Sequence, residues 1–305
     1  MREGFQRFLA LALLLAVGGC APKNSAAAPE ISREVSGEKA FEHVRRLVEF
    51  GPRPPGSPAL ENSRVYLTKQ LEQFGWKVAR EEFSDDTPRG RVGFVNLIAT
   101  YAKTPRGAAP PSFLLCSHYD TKTFATARFV GANDGGSSTG LLLELARVLG
   151  GHADLAARVE LVFFDGEEAY VSFTDTDGLY GSRHFAKQLV TEKRVAQFRG
   201  GILFDMVGDR TLGVTLPPDS PPELARGIFA AADALNLRSF FTYFRGGILD
   251  DHTPLNAVGI HTIDLIDFDF PWWHTPEDTL DKISAESLQT VGAVALRYLV
   301  TDGLR

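Results

Sequence analysis

Four short segments constrain this chain more than any other feature: Phe113–Ser117, Val159–Phe164, Gly201–Phe204 and Ile260–Ile266 are apolar with little alternation. Successive side chains of a strand point to opposite faces, so a strand with one wet face alternates apolar and polar residues. Strands that stay apolar throughout are covered on both faces, as in a parallel sheet between helices. Further strands are expected at Val92–Tyr101 and Phe240–Phe244, and helices at Ser138–Leu149, Arg183–Val190, Pro222–Leu235 and Ala285–Leu299. This alternation predicts one α/β domain, with a central, mostly parallel mixed β-sheet and helices on both faces.

Two helices precede the alternation. Ser36 can cap a helix through Ala40, Val44, Leu47 and Val48 that stops at Gly51-Pro52. Ser57-Pro58 opens a second, in which Leu60, Leu67, Leu71 and Phe74 share a face before Gly75 ends it. With 305 residues, 44% hydrophobic and 23% charged, the chain can bury a core without disulfide staples. Its net charge of −6, with no Lys/Arg run, argues against a nucleic-acid partner.

The first residues have a different purpose. Arg2 and Arg7 accompany an apolar run from Phe8 to Val17, too short for the roughly 20 residues that span a bilayer. Residues 1–19 read as a secretory signal peptide. Gly18-Gly19-Cys20 resembles the lipobox of bacterial lipoproteins, in which Cys20 would carry the lipid, and residues 20–36 would form a flexible tether. The expected location is the cell envelope, with membrane contact through Cys20 only. Ala21 after the Cys resembles sorting to the periplasmic face of the outer membrane. Cys116, within an apolar run, is expected to be a buried core thiol rather than a nucleophile.

The polar residues fall where ligands bind in open α/β sheets, beyond the carboxyl ends of the strands. The apolar segments lead into His118-Tyr119-Asp120, into Asp165-Gly166-Glu167-Glu168 and into Asp205; the last precedes Trp273-His274. Gly131-Ala-Asn-Asp134-Gly-Gly adds a carboxylate in a Gly-rich turn. A lone Asp there caps or forms a turn. Converging carboxylates repel and rise in pKa unless a cation compensates them. Carboxylate and imidazole ligands without thiolate suit zinc with an open position. In the Glu167–Glu168 pair one carboxylate can bind metal while its neighbour moves protons.

Together these residues resemble the zinc-dependent aminopeptidase superfamily, and more closely its glutaminyl-peptide cyclotransferase branch. The resemblance runs from about residue 37 to the C-terminus, so that residues 37–305 would be the catalytic domain. It rests on Phe163-Phe-Asp-Gly-Glu-Glu-Ala-Tyr170, Leu179-Tyr-Gly-Ser-Arg-His184, Asp250-Asp-His252 and Trp273-His-Thr275. It implies Asp134, Glu168 and His274 as ligands of a catalytic zinc, and Glu167 as general acid/base. Asp205 and Asp250 would belong to the surrounding hydrogen-bond network. Phe270, Trp273 and Phe173 would line the substrate pocket. The implied reaction converts an N-terminal Gln of a peptide or protein to pyroglutamate with release of ammonia.

Two-zinc aminopeptidases share the scaffold and are the alternative reading, with His118 and Asp205 as ligands of a second zinc. In them a Gly-Ser element usually follows the Glu pair within a few residues, whereas here it comes only at Gly181-Ser182, after an aromatic-containing loop like that of the cyclases. Trp273 before the metal His and the Asp-Asp-His motif also favour cyclase; Gly131–Ser138 reads much as in the aminopeptidases. One zinc is expected, with the second left open. The acids at 264, 267 and 269 are expected to organise loops, and His43, His152, His184 and His261 to be structural or on the surface.

Overall fold

The computed structural model describes Met1 and residues 31–104, 107 and 109–305. The expected signal peptide, Cys20 and the stretch 21–30 lie outside the described residues. The packed body begins earlier than the expected tether allows: Ile31 and Val35 are buried in the main core, with a 3₁₀ turn at Ser32–Glu34 between them. Two apolar side chains within six residues are enough to dock that segment.

Helix α1 (Gly37–Glu49) starts at Ser36, whose side chain accepts from the Lys39 amide. Helix α2 (Pro58–Gln73) starts at Ser57, which accepts from Leu60 in the same way. The chain then pairs β1 (Trp76–Thr87) with β2 (Gly90–Tyr101) as a long antiparallel hairpin. There follow β3 (Phe113–His118), α3 (Gly136–Gly150), a short α4 (Ala153–Ala156) and β4 (Val159–Phe164). Next come α5 (Tyr180–Thr191), β5 (Gly200–Asp205), β6 (Val214–Leu216), α6 (Pro222–Ala234) and β7 (Phe241–Tyr243). Helix α7 (His252–Ala257), β8 (Thr262–Ile266) and α8 (Ala285–Tyr298) complete the domain.

The strands form one eight-stranded mixed sheet in the order β1-β2-β4-β3-β5-β8-β6-β7. Its centre, β4-β3-β5-β8, is parallel, and the antiparallel pairings lie towards the edges. The lack of alternation has the expected cause. Phe113 and Leu115 of β3, with Leu161 and Phe163 of β4, pack into the core beneath α1, α3 and α8. Their neighbours Leu114, Cys116, Val162 and Phe164 pack on the other face against Phe185 and Leu189 of α5 and Leu255 of α7. Cys116 is a buried free thiol. Among the described residues no helix is long and apolar enough to cross a membrane.

The chain leaves β3 towards β4 on one side, whereas β5, on its other side, leads away towards β8. The crevice between β3 and β5 is therefore a topological switch point, where open α/β sheets bind ligands.

His43 is one of the structural histidines. It is buried between α1 and α2, its Nδ1 2.7 Å from the Tyr66 hydroxyl and its ring edge-on to Phe74. Burial, helped by the charge of Arg147, lowers its pKa to about 4. Below the unfolded pKa of 6.5 the unfolded chain binds a proton that the folded chain does not, so His43 lowers stability as pH falls from 6.5 to about 4. The full loss is about 3 kcal/mol. The denaturation midpoint of His43→Phe, measured by urea titration at several pH values, should fall less steeply across this window than that of the parent.

Candidate metal centre and active site

Two backbone features place the acids at the switch point. Gly166, at φ +71°, turns the chain after β4; a Cβ there would meet Phe94 at 2.4 Å. Gly135, at φ +73°, lets the Asp134 turn lie against β3; a Cβ there would meet the Asp120 carbonyl oxygen at 2.7 Å and His118 at 2.8 Å. His274, at φ +55°, and Met206, at φ +46°, also hold left-handed conformations. For non-glycine residues such backbone costs of order 1–3 kcal/mol and clusters at functional sites.

Asp134, Glu168 and His274 come together at this edge. His274 Nε2 lies 3.4 Å from Asp134 Oδ2 and 3.2 Å from Glu168 Oε2, and one donor atom of each residue lies within 4.8 Å of the others. Both carboxylates are buried, and Asp134 Oδ2 and Glu168 Oε1 have no hydrogen-bond partner among the described residues. Buried carboxylate oxygens without partners are costly and call for a cation. Two carboxylates and one imidazole fit zinc with a position left for substrate.

The electrostatics agree. Burial, followed by the nearby Glu168, pushes Asp134 up to about 6, while His118 and His274 oppose the rise. Glu168 is also pushed up by burial, but hydrogen bonding and charge from His274, then the Lys122 ammonium, bring it down to about 2. Lys122 Nζ sits 3.3 Å from Glu168 Oε2 and donates to the Ala169 carbonyl at 2.8 Å.

His118, Asp134 and Asp205 form a second buried group that shares Asp134. His118 Nε2 is 3.1 Å from Asp205 Oδ1 and 3.4 Å from Asp134 Oδ1, and Nδ1 is 3.4 Å from Asp120 Oδ1. Burial alone would lower its pKa; Asp205, then Asp120 and Asp134, hold it well above the usual value.

Glu167 lines a cavity of about 190 Å³ together with Asp134, His274, Asp205 and Asp250, walled by Phe173, Phe268 and Trp273. At ~30 Å³ per water that is room for a short side chain. Burial pushes the Glu167 carboxyl well above its usual range; Glu168, Asp250 and Asp251 add to this and His118 opposes it. Trp273 stacks on His274 at 4.1 Å and 24°. Phe270, expected in the wall, is buried beneath it among Met206, Ile248, Ile266 and Trp272. Phe268 takes its place, because side chains two apart around this turn do not keep the strand's alternation.

Several residues not singled out from the sequence build the site. The Asp120 carboxylate accepts from the Glu167 amide at 3.1 Å and the Glu168 amide at 3.4 Å, fixing the acid pair to the end of β3. Asp278 accepts from Asn133 at 2.7 Å and Asp134 at 3.0 Å. Arg53 is fully buried and donates to the carbonyls of Tyr119, Val130 and Gly131. Asp264, expected to organise a loop, lies within β8, fully buried in a group with Asp250 and His252. Its apolar neighbours Ile263 and Leu265 carry the strand pattern of the expected segment Ile260–Ile266. Asp267 does organise a loop, accepting from the Gly213 amide at 2.8 Å.

Fold and site define a metallopeptidase-like α/β enzyme, and comparison with known proteins agrees: the model of peptidase family M28 matches residues 96–299. The glutaminyl-peptide cyclotransferase of Dictyostelium discoideum is 30% identical over 301 residues, covering 83% of this chain and 82% of that protein. That of Bos taurus is 31% identical, covering 81% and 78%. The crystal structure of an Acidobacteriales bacterium glutaminyl cyclase superposes with a TM-score of 0.82 at 31% identity, covering 94% of this chain and 99% of that one. The chain belongs to peptidase family M28, in its glutaminyl-peptide cyclotransferase branch.

Because Asp278 holds the turn that carries Asp134, Asp278→Ala should weaken zinc binding about 10- to 100-fold. Titration against a fluorescent zinc chelator measures this, and unchanged affinity would remove Asp278 from the support of the centre.

Proposed function

We propose that this protein converts the N-terminal Gln of peptides or proteins to pyroglutamate and releases ammonia, at a single zinc held by Asp134, Glu168 and His274. The observation that carries this reading is the small aromatic-walled cavity in which Asp134 and His274 meet Glu167, with Glu168 beside them in the same ligand group. It admits a short side chain and leaves the rest of a peptide outside. The relatives above bear the same activity in their names.

Zinc, when bound, supplies Lewis-acid polarisation of the Gln γ-carbonyl. The chain's own residues do the rest. Trp273, Phe173 and Phe268 wall the Gln side chain and exclude water, holding the substrate's α-amine near its own γ-carbon. The nucleophile is thereby tethered, an arrangement worth up to about 7–11 kcal/mol of barrier in well-oriented systems. The bond from the α-nitrogen to the γ-carbonyl carbon forms and the bond to the side-chain nitrogen breaks. Glu167 takes the proton from the amine and gives it to the departing ammonia. Its raised pKa brings it nearer the operating pH, where a proton carrier works best. Asp205 and Asp250 line the same cavity, and Asp250 adds to the rise of the Glu167 carboxyl.

We propose one zinc, at Asp134, Glu168 and His274; the second group shares Asp134 with it, and its His118 also faces Asp120 through Nδ1. We place the protein in the cell envelope, with a lipid anchor at Cys20, on the strength of the N-terminal pattern alone.

Purified protein incubated with Gln-peptides should release ammonia in step with pyroglutamate, and should release no Leu from Leu-peptides. Leu release without ammonia would establish the aminopeptidase instead. Glu167→Gln should lower kcat by at least about 10²-fold, the usual contribution of an acid/base group, while zinc content stays at one per chain. A variant with full activity would remove Glu167 from that role.

A further inference from the structure

A second hollow adjoins the catalytic cavity. It is a groove of about 480 Å³ between α5 and α7. Leu249, nearly half exposed, borders both spaces. The opposite wall is also continuous: Phe173 stands in the cavity, and Thr174 and Asp175 carry the same loop into the groove. The cavity and the groove are therefore neighbours, bordered in common by Leu249 and by the loop from Phe173 to Asp175.

The two helices give the groove its chemistry. Arg183, Ala186, Lys187 and Val190 recur at the spacing of one face of α5. Pro254 and Ala257 of α7, with Val258 directly after it, face them. Val190 is exposed, although the rest of the apolar face of α5, Phe185 and Leu189, is buried in the core. The charge is uneven. Arg183 is turned back onto the Thr174 and Asp175 carbonyls, while Lys187 Nζ has no hydrogen bond or ion pair among the described residues. Asp175 is the one acid on the lining.

We propose that this groove binds the residues that follow the N-terminal Gln of the substrate, and that it prefers apolar side chains followed by a carboxylate that meets Lys187. The proposal rests on the cyclase reading and extends it to substrate class. Length supports the occupant: from Leu179 to Val190 the helix rises about 16 Å at 1.5 Å per residue, the span of about five extended residues. Charge supports it through Lys187, the cation of the groove that no hydrogen bond or ion pair holds among the described residues. Neither Lys187 nor Val190 touches the metal ligands or Glu167, so both can be changed without disturbing the chemistry.

Steady-state kinetics on the intact protein test this. The substrates are Gln-Gly amide, the pentapeptide Gln-Leu-Val-Leu-Glu, and Gln-Ser-Gly-Ser-Lys amide. The apolar acidic pentapeptide should have a KM about tenfold below the other two, consistent with burial of one or two aliphatic side chains. In Lys187→Glu and in Val190→Asp its KM should rise by about the same factor, with kcat unchanged. Gln-Gly amide should keep its parental KM in both variants, which also shows that they are folded. Equal KM for all three substrates in the parent, or variants that shift Gln-Gly amide as much as the pentapeptide, would overturn the groove and leave the cyclase reading standing. Failure of all three peptides to release ammonia would overturn the cyclase reading and the groove with it.

Discussion

The structure is organised around a concentration of buried carboxylates at one edge of its sheet. Asp120, Asp134, Glu167, Glu168, Asp205, Asp250, Asp264 and Asp278 are all less than one-tenth exposed and belong to the end of the molecule where β3, β4, β5 and β8 terminate. Two like charges 4 Å apart repel by about 4 kcal/mol at an effective dielectric of 20. Such a group persists only where cations and hydrogen-bond donors are built in around it. Arg53, Lys122, His118 and His274 are the protein's contribution: Lys122 and His274 meet at Glu168, His118 faces Asp205, and Arg53 acts on Asp278, Asp120 and Asp134. The oxygens of Asp134 and Glu168 left without partners mark where that contribution stops. A metal ion there is a folding ligand as much as a catalyst, since it binds the assembled site and not the unfolded chain.

The same acids divide into holders and workers. Asp120 and Asp278 use their oxygens on backbone amides and thereby aim Glu167, Glu168 and Asp134. Arg53 ties the loop after β3 to the loop that bears Asp134, because its guanidinium spans the carbonyls of Tyr119, Val130 and Gly131. His274 then completes the site from the far end of the chain, on backbone held at positive φ. The positions of the reacting groups thus depend on backbone contacts between loops distant in sequence, which is how a rigid scaffold specifies a site on loops.

Much of the central sheet was legible because β3, β4, β5 and β8 are buried on both faces and therefore mostly apolar. Helices α1 and α2 were legible from Ser36 and Ser57-Pro58, whose capping is local chemistry. Strand β1 was not. Trp76–Thr87 is rich in charge and largely exposed, and is a strand because it pairs along its whole length with β2, while Trp76 anchors it through a 2.9 Å bond to the Ala146 carbonyl. Strand β6 is three residues long, too short for any periodicity. Local propensity is weak beside such tertiary pairing.

What the sequence determined by itself is the class of chemistry: acids and histidines directly after buried strands must converge at a switch point, and such a group needs a cation. It also marked Glu167 and Glu168 as neighbours able to divide two roles. Only the tertiary structure decided which acids stand at the cavity and which hold its backbone, and that Phe268 rather than Phe270 forms the wall. It also gave Asp264, expected to organise a loop, a place in the buried group around Asp250. The reason is physical. Strand-end position follows from local burial pattern, whereas the direction of a side chain beyond the strand is set by turns and long-range hydrogen bonds that no local pattern encodes.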